Sequence, residues 1–153
     1  MNAIDFVRES NRIEGIIRDP SAAEISEFER FIRLDYISIA QLENFVKVYQ
    51  PFAVLRSRAG QDVRVGNHIP PRGGEHIIDM LHALLVFAND NDSPADAYKA
   101  HIEYETIHPF TDGNGRSGRM LWAWMMGYDA ALSLGFLHRF YYQALDNTRF
   151  NAV

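Results

Sequence analysis

Three times in this chain a short polar side chain stands just ahead of a helical apolar rhythm, and this repeated helix-start chemistry constrains the fold most. Asp19-Pro20 reads as an N-cap with proline at the first helical position, followed by Ala22, Ile25, Phe28, Phe31 and Ile32 at helical spacing. Ser38 with Gln41 reads as a capping box ahead of Leu42, Phe45, Val46 and Tyr49, and Pro51 follows the expected end. Ser93-Pro94 repeats the first pattern, and Asp96 puts a carboxylate in the first turn of a helix expected to reach Ile107. Between these, Ile77, Ile78, Leu81, Leu84, Leu85 and Ala88 form one face over residues 75–88, with the polar run 89–92 as the stop. Met120, Leu121, Trp124, Met125 and Tyr128 keep the same rhythm further on, and residues 136–150 read as a last helix. The pattern predicts an all-α fold, and 153 residues suffice for one domain with one core.

One stretch departs from it. Residues 57–74, SRAGQDVRVGNHIPPRGG, alternate briefly and are punctuated by glycine and proline, which reads as a short β-hairpin flap or a plain connecting loop. As a flap, it would offer an unpaired edge to a partner strand. Composition narrows the function. The net charge of −5 has the wrong sign for holding nucleic acid through its phosphates, and the absence of cysteine excludes disulfides and thiolate metal sites. The N-terminus lacks the features of a secretory signal, and a cytoplasmic location is expected. The apolar run that starts at Met120 contains Gly127, Asp129, Ser133 and Gly135 and reads as a buried helix rather than a membrane span.

Residues 108–119, HPFTDGNGRSGR, carry the chemistry. A helix starting between 114 and 117 would turn its free N–H groups and positive dipole end toward this loop, a ready site for phosphate. Gly113 and Gly115 would let the backbone take positive φ around the oxygens, and Arg116 and Arg119, three apart, could each bond a polyphosphate. Asp112 beside a polyphosphate suits a magnesium ligand, and His108 can take a proton at neutral pH. Singly, these residues read as a helix end, a turn and a solvated face; their joint spacing points to a site.

The stretch resembles the signature of the Fic family, HxFx(D/E)GNGRxxR, at every fixed position. The resemblance implies a Fic-type helical domain that transfers AMP from ATP, with Mg2+, to a Ser, Thr or Tyr hydroxyl of a target protein. In that reading His108 is the general base, Phe110 anchors the loop and Asp112 binds magnesium. Gly113, Asn114 and Gly115 hold the phosphates, Arg116 meets the leaving pyrophosphate and Arg119 the γ-phosphate. The segment Val65, Gly66, Asn67, His68 and Ile69 corresponds to the target-docking flap.

SNRIEG at residues 10–15 resembles the family's inhibitory motif (S/T)xxxE(G/N). Ser10 and Glu14 lie four apart on one helical face, and Gly15 is a plausible helix terminator. The resemblance implies that Glu14 pairs with Arg119 and obstructs the γ-phosphate. It divides the chain into an inhibitory segment, 1–18, and a catalytic domain, 19–153, with the segment acting within the chain or between subunits of a homo-oligomer. Phosphoryl transfer as in Doc toxins, removal of AMP, self-modification and a non-catalytic nucleotide-sensing module are the competing readings. Elsewhere, His101 and Glu105 read as a solvated helix face, and His68, His76, His82 and His138 show no metal spacing. Trp122 and Trp124 read as buried and partly buried helix positions rather than a stacking platform.

Overall fold

The computed structural model describes residues 2–129 and 131, and among them it has six helices and no extended sheet. These are α1 (Ala3–Ile13), α2 (Ala22–Ile32), α3 (Ile39–Tyr49), α4 (Glu75–Asp90), α5 (Pro94–Ile107) and α6 (Asn114–Met126). No described helix is long and apolar enough to cross a membrane. The helix expected over 136–150 lies outside the described residues.

Ser38 and Ser93 cap α3 and α5 as their sequences predict, each accepting a bond from the backbone three residues on. The reciprocal half of the Ser38 box is replaced: the Gln41 amide oxygen accepts from Arg30 instead, at 2.8 Å. Asp19 is not a cap. Ser21 takes that place two residues later because Glu24 answers it from the third helical position, closing a full capping box. The buried face of α2 is rotated accordingly, so that Glu24 and Glu27 go inside with Phe28 and Phe31, while Ala22 is exposed.

On α4, Ile77, Leu81, Leu84, Leu85 and Ala88 are buried, but Ile78 falls one position off the stripe and is exposed. Asn89 is still helical; its side chain bonds both the N–H and the carbonyl of Ile37, pinning the α2–α3 connection. Helix α6 runs through the centre, touching α1, α2, α3 and α5. It buries residues on all sides, including Met120, Leu121, Trp122 and Met125, as expected of a core helix. Gly127 ends it, which leaves Tyr128 outside and half exposed. Trp124 is partly buried, its indole N–H donating to the Leu34 carbonyl at 2.7 Å. Burying a side chain such as Leu121 contributes roughly 1.5–3 kcal/mol, so the core fixes α6 and with it the end of the preceding loop.

The predicted flap is reduced to one antiparallel bridge. Val65 and His68 exchange both backbone bonds at 3.0 and 2.9 Å around Gly66-Asn67, with Gly66 at φ 58°. This is a hairpin tip without strands behind it, because Pro70 and Pro71 directly after it supply no N–H to extend the ladder.

Helix α1 joins the same core through Ala3, Phe6 and Val7. The stripe continues at the same spacing into buried Ser10 and Asn11, so polar groups are delivered inward by an apolar anchor. Gly15 at φ 75° ends α1 in a Schellman motif, with Ile16 N–H on the Asn11 carbonyl and Gly15 N–H on that of Arg12.

Candidate active site

The loop between α5 and α6 is held on three sides. Phe110 is buried, and its N–H and carbonyl are both bonded by the Asn114 side chain at 2.8 Å. Thr111 N–H bonds the Val54 carbonyl, and Arg56 N–H bonds that of Pro109, so the loop lies along residues 54–56. Below it, Ser117 Oγ donates to the Gly113 carbonyl and meets the buried Tyr104 hydroxyl at 2.7 Å.

Helix α6 begins at Asn114 behind Gly113, which is left-handed at φ 78° and supplies no side-chain cap. The first-turn N–H groups therefore face the loop, as an anion site requires. Gly115 was expected to supply positive φ as well, but it is already helical. Its lack of a side chain has another use: a Cβ there would collide with the Glu14 carboxylate. The Asn114 side chain is committed to Phe110, so only its backbone N–H is left to meet an anion.

Arg116 and Arg119, one turn apart, are both buried. Arg116 donates to the Gln50 amide oxygen at 3.1 Å, lies 3.5 Å from Asn11 Oδ1 and sits over the Tyr49 ring. Burial pulls its guanidinium below the ordinary arginine range, and Glu14, Glu24 and Asp112 push it back up. Arg119 donates to Ser10 Oγ at 2.8 Å, to the Ser10 carbonyl at 2.9 Å and to Glu14 Oε1 at 2.7 Å. Thus Ser10, Glu14 and Arg119, predicted as a set, meet within one chain.

The α1 side is itself latched. Asn11 donates to Glu24 at 3.2 Å, and Arg18 makes a two-pronged pair with the same carboxylate at 2.7 and 3.2 Å. Burial alone would raise the Glu24 carboxyl, but the bonds from Arg18, the Ser21 N–H and Asn11 outweigh it and hold it at about 2.

Asp112 is exposed, and its two oxygens accept from Gly113 N–H at 2.8 Å and the Gln50 amide at 2.7 Å. Among the described residues no cluster of three acidic or histidine side chains forms a complete metal cage. One accessible carboxylate next to an uncapped helix N-terminus is a donor set that suits magnesium, which takes few carboxylates and completes its shell with phosphate oxygens and water.

His108 caps α5 in the left-handed region, φ 51° and ψ 63°, the only described non-glycine residue at positive φ. Its Nδ1 lies 3.9 Å from Glu105 Oε2. Glu105 and His101 are buried, not solvated: they pack under Gly118, where a Cβ would meet Glu105 Oε1 at 2.7 Å and His101 Cε1 at 3.3 Å. A polar face on a helix looks solvated in sequence; here a glycine on the neighbouring helix makes room for it.

Two residues at the site carried no signal in the sequence. Gln50, the last residue before Pro51, bridges Asp112 and Arg116. Arg56 is 0% exposed and donates to the carbonyls of His108 at 2.7 Å and Ile107 at 2.8 Å. It also reaches those of Gln61 at 3.1 Å and Pro71 at 2.8 Å. Burial pulls its guanidinium down, partly offset by Asp62. The flap tip is tied in by His68, whose Nε2 is 3.0 Å from the Thr106 carbonyl, while Ile69 points out and is exposed.

A family model described as Fic/DOC family matches residues 36–126, more than half of the chain. The chain is also similar to the protein adenylyltransferase Fic of Drosophila mojavensis, 43% identical over 63 residues, which is 39% of this chain and 12% of that protein. The proteins of that name from Drosophila virilis and Drosophila grimshawi are 41% and 40% identical over 63 residues, 39% of this chain and 13% of each. The match therefore spans about an eighth of the length of these relatives.

Proposed function

Because the chain belongs to the Fic/DOC family, we propose that it is a protein adenylyltransferase that moves AMP from ATP to a hydroxyl of a target protein and is restrained by Glu14. The observation that carries the reading is the start of α6: no side chain caps it, and Arg116 and Arg119 lie buried on its first two turns.

In this reading the target hydroxyl gives its proton to His108 as its oxygen attacks the α-phosphorus of ATP. The bond to pyrophosphate breaks, and the pyrophosphate leaves with its charge met by Arg116, Arg119 and the first-turn N–H groups of Gly115 and Arg116. Glu105 on the Nδ1 side of His108 leaves Nε2 to act as the base. Magnesium on Asp112 would neutralise phosphate charge. The residues of this chain do the rest: Gln50 orients the Asp112 carboxylate, and Phe110 and Asn114 keep the loop in register. The target would dock by adding a strand beside residues 65–69, where main-chain bonds do the recognising.

The restraint follows from competition. Arg119 bonds Glu14 and Ser10, and a γ-phosphate would need the same N–H groups.

The test is to incubate the Glu14→Gly protein with a lysate and ATP labelled at either the α- or the γ-phosphate. Adenylyl transfer labels protein from the α-position only. Label from the γ-position alone would indicate phosphoryl transfer, and no label from either would indicate a nucleotide-binding module.

A further inference from the structure

A buried guanidinium is costly unless its charge is met, and the usual answer is a carboxylate. Arg56 finds another. Its side-chain bonds all go to backbone carbonyls, and these fall into two groups. Nε and one terminal nitrogen reach His108 and Ile107, the cap of α5 and its last residue. The other terminal nitrogen reaches Gln61 and Pro71, which bracket the flap tip on either side. The main chain of Arg56 repeats the pattern: its N–H bonds the Pro109 carbonyl at 2.8 Å, and its carbonyl accepts from Gly74 N–H at 2.9 Å.

The first group bears on an unusual conformation. Residues other than glycine rarely occupy the left-handed region, since Cβ crowds the backbone there. His108 is held in it at φ 51°, its N–H on the Tyr104 carbonyl and its own carbonyl turned onto Arg56 Nε. That peptide orientation also sets the direction in which the imidazole leaves the chain. The second group closes the flap root, where Asp62 accepts from Gly73 N–H at 2.9 Å. A guanidinium is a rigid planar fork, so carbonyls bonded to it are fixed relative to one another.

We propose that Arg56 is a positioning residue that sets the His108 backbone and fixes the root of the flap to the same point, so that the proton acceptor and the docked target segment share one reference. The role rests on the adenylyl-transfer reading above. It predicts that losing the fork harms both the chemical step and target binding while leaving the nucleotide site intact.

The experiment compares the Glu14→Gly full chain with the same protein carrying Arg56→Lys or Arg56→Gln. Lysine offers a point charge and glutamine one amide; neither can span both groups. Three quantities are read: kcat and KM for target modification, ATP affinity, and the His108 Cα and Cβ chemical shifts, which report its φ and ψ. Expected are a fall in kcat of about 10²-fold, in keeping with misplacement of a reacting group, a raised KM for the target, unchanged ATP affinity, and displaced His108 shifts. Unmoved His108 shifts, losses that only follow the melting temperature, or failure of both variants to fold would overturn the proposal and leave Arg56 a stabilising residue. If the Glu14→Gly parent moves no AMP at all, the adenylyl reading fails, and the His108 shifts decide the Arg56 proposal by themselves.

Discussion

Arg119 and Arg56 are 1% and 0% exposed, the one closing the 108–119 stretch and the other lying against its start, and they are satisfied in opposite ways. Arg119 is met by a hydroxyl, a carbonyl and a carboxylate from α1, and that carboxylate belongs to Glu14, whose side chain is 38% exposed. Arg56 is met only by carbonyls of the chain it helps to fold. A contact with a half-exposed side chain at a helix end can be replaced by a better anion. A contact with four carbonyls cannot be replaced without moving the backbone. One end of the loop is therefore built to exchange partners and the other to stay still, which suits an anion site at one end and a proton acceptor at the other.

The comparison can be broken most directly at the still end. His108→Ala should lower AMP transfer by about 10²- to 10⁴-fold, with ATP affinity by calorimetry unchanged; undiminished transfer removes His108 from the role of base. At the exchanging end the effect is smaller and opposite in sign. A bond to a charged group contributes roughly 1.5–3 kcal/mol, so Glu14→Gly should raise transfer by about ten- to a hundredfold. Equal initial rates for the two proteins would show that Glu14 is no brake.

The smallest effect concerns the latch behind Glu14. The Glu24 carboxyl is held at about 2 against an ordinary 4.5, so it contributes stability that is complete above 4.5 and is lost as pH falls through 2. Protection of the α1 amides against hydrogen exchange, taken relative to the intrinsic rate at each pH, should hold from neutral pH to about pH 5 and fall below it. Glu24→Gln should weaken that dependence. Loss of α1 protection already near neutrality would place the latch elsewhere.

Much of this was legible in the sequence where the partners are near in sequence. Ser38, Ser93 and the helix rhythms follow from bonds three or four residues long, and the loop announced itself because its groups are contiguous. The shift from Asp19 to Ser21 shows two local signals competing: proline at the first position lost to a serine answered by Glu24. Arg56, Gln50 and the buried His101 and Glu105 were not legible. Arg56 is bonded to carbonyls, which every residue has, up to 52 positions away, so no side-chain type marks its partners. His101 and Glu105 are inside because Gly118 leaves space for them, a fact about the neighbouring helix rather than their own.

The placement of Glu14 also sets a clock. Helix α1 is anchored by Phe6 and Val7 near its start, while Glu14 caps its far end. Lifting the helix means undoing a packed core, a local unfolding on the microsecond-to-second scale, whereas an exposed side chain changes rotamer in picoseconds to nanoseconds. In the proposed reading an arriving triphosphate need not wait for a lid to open: it meets a carboxylate that has already left and returned many times during the encounter, and the outcome is decided by occupancy rather than by the speed of a gate.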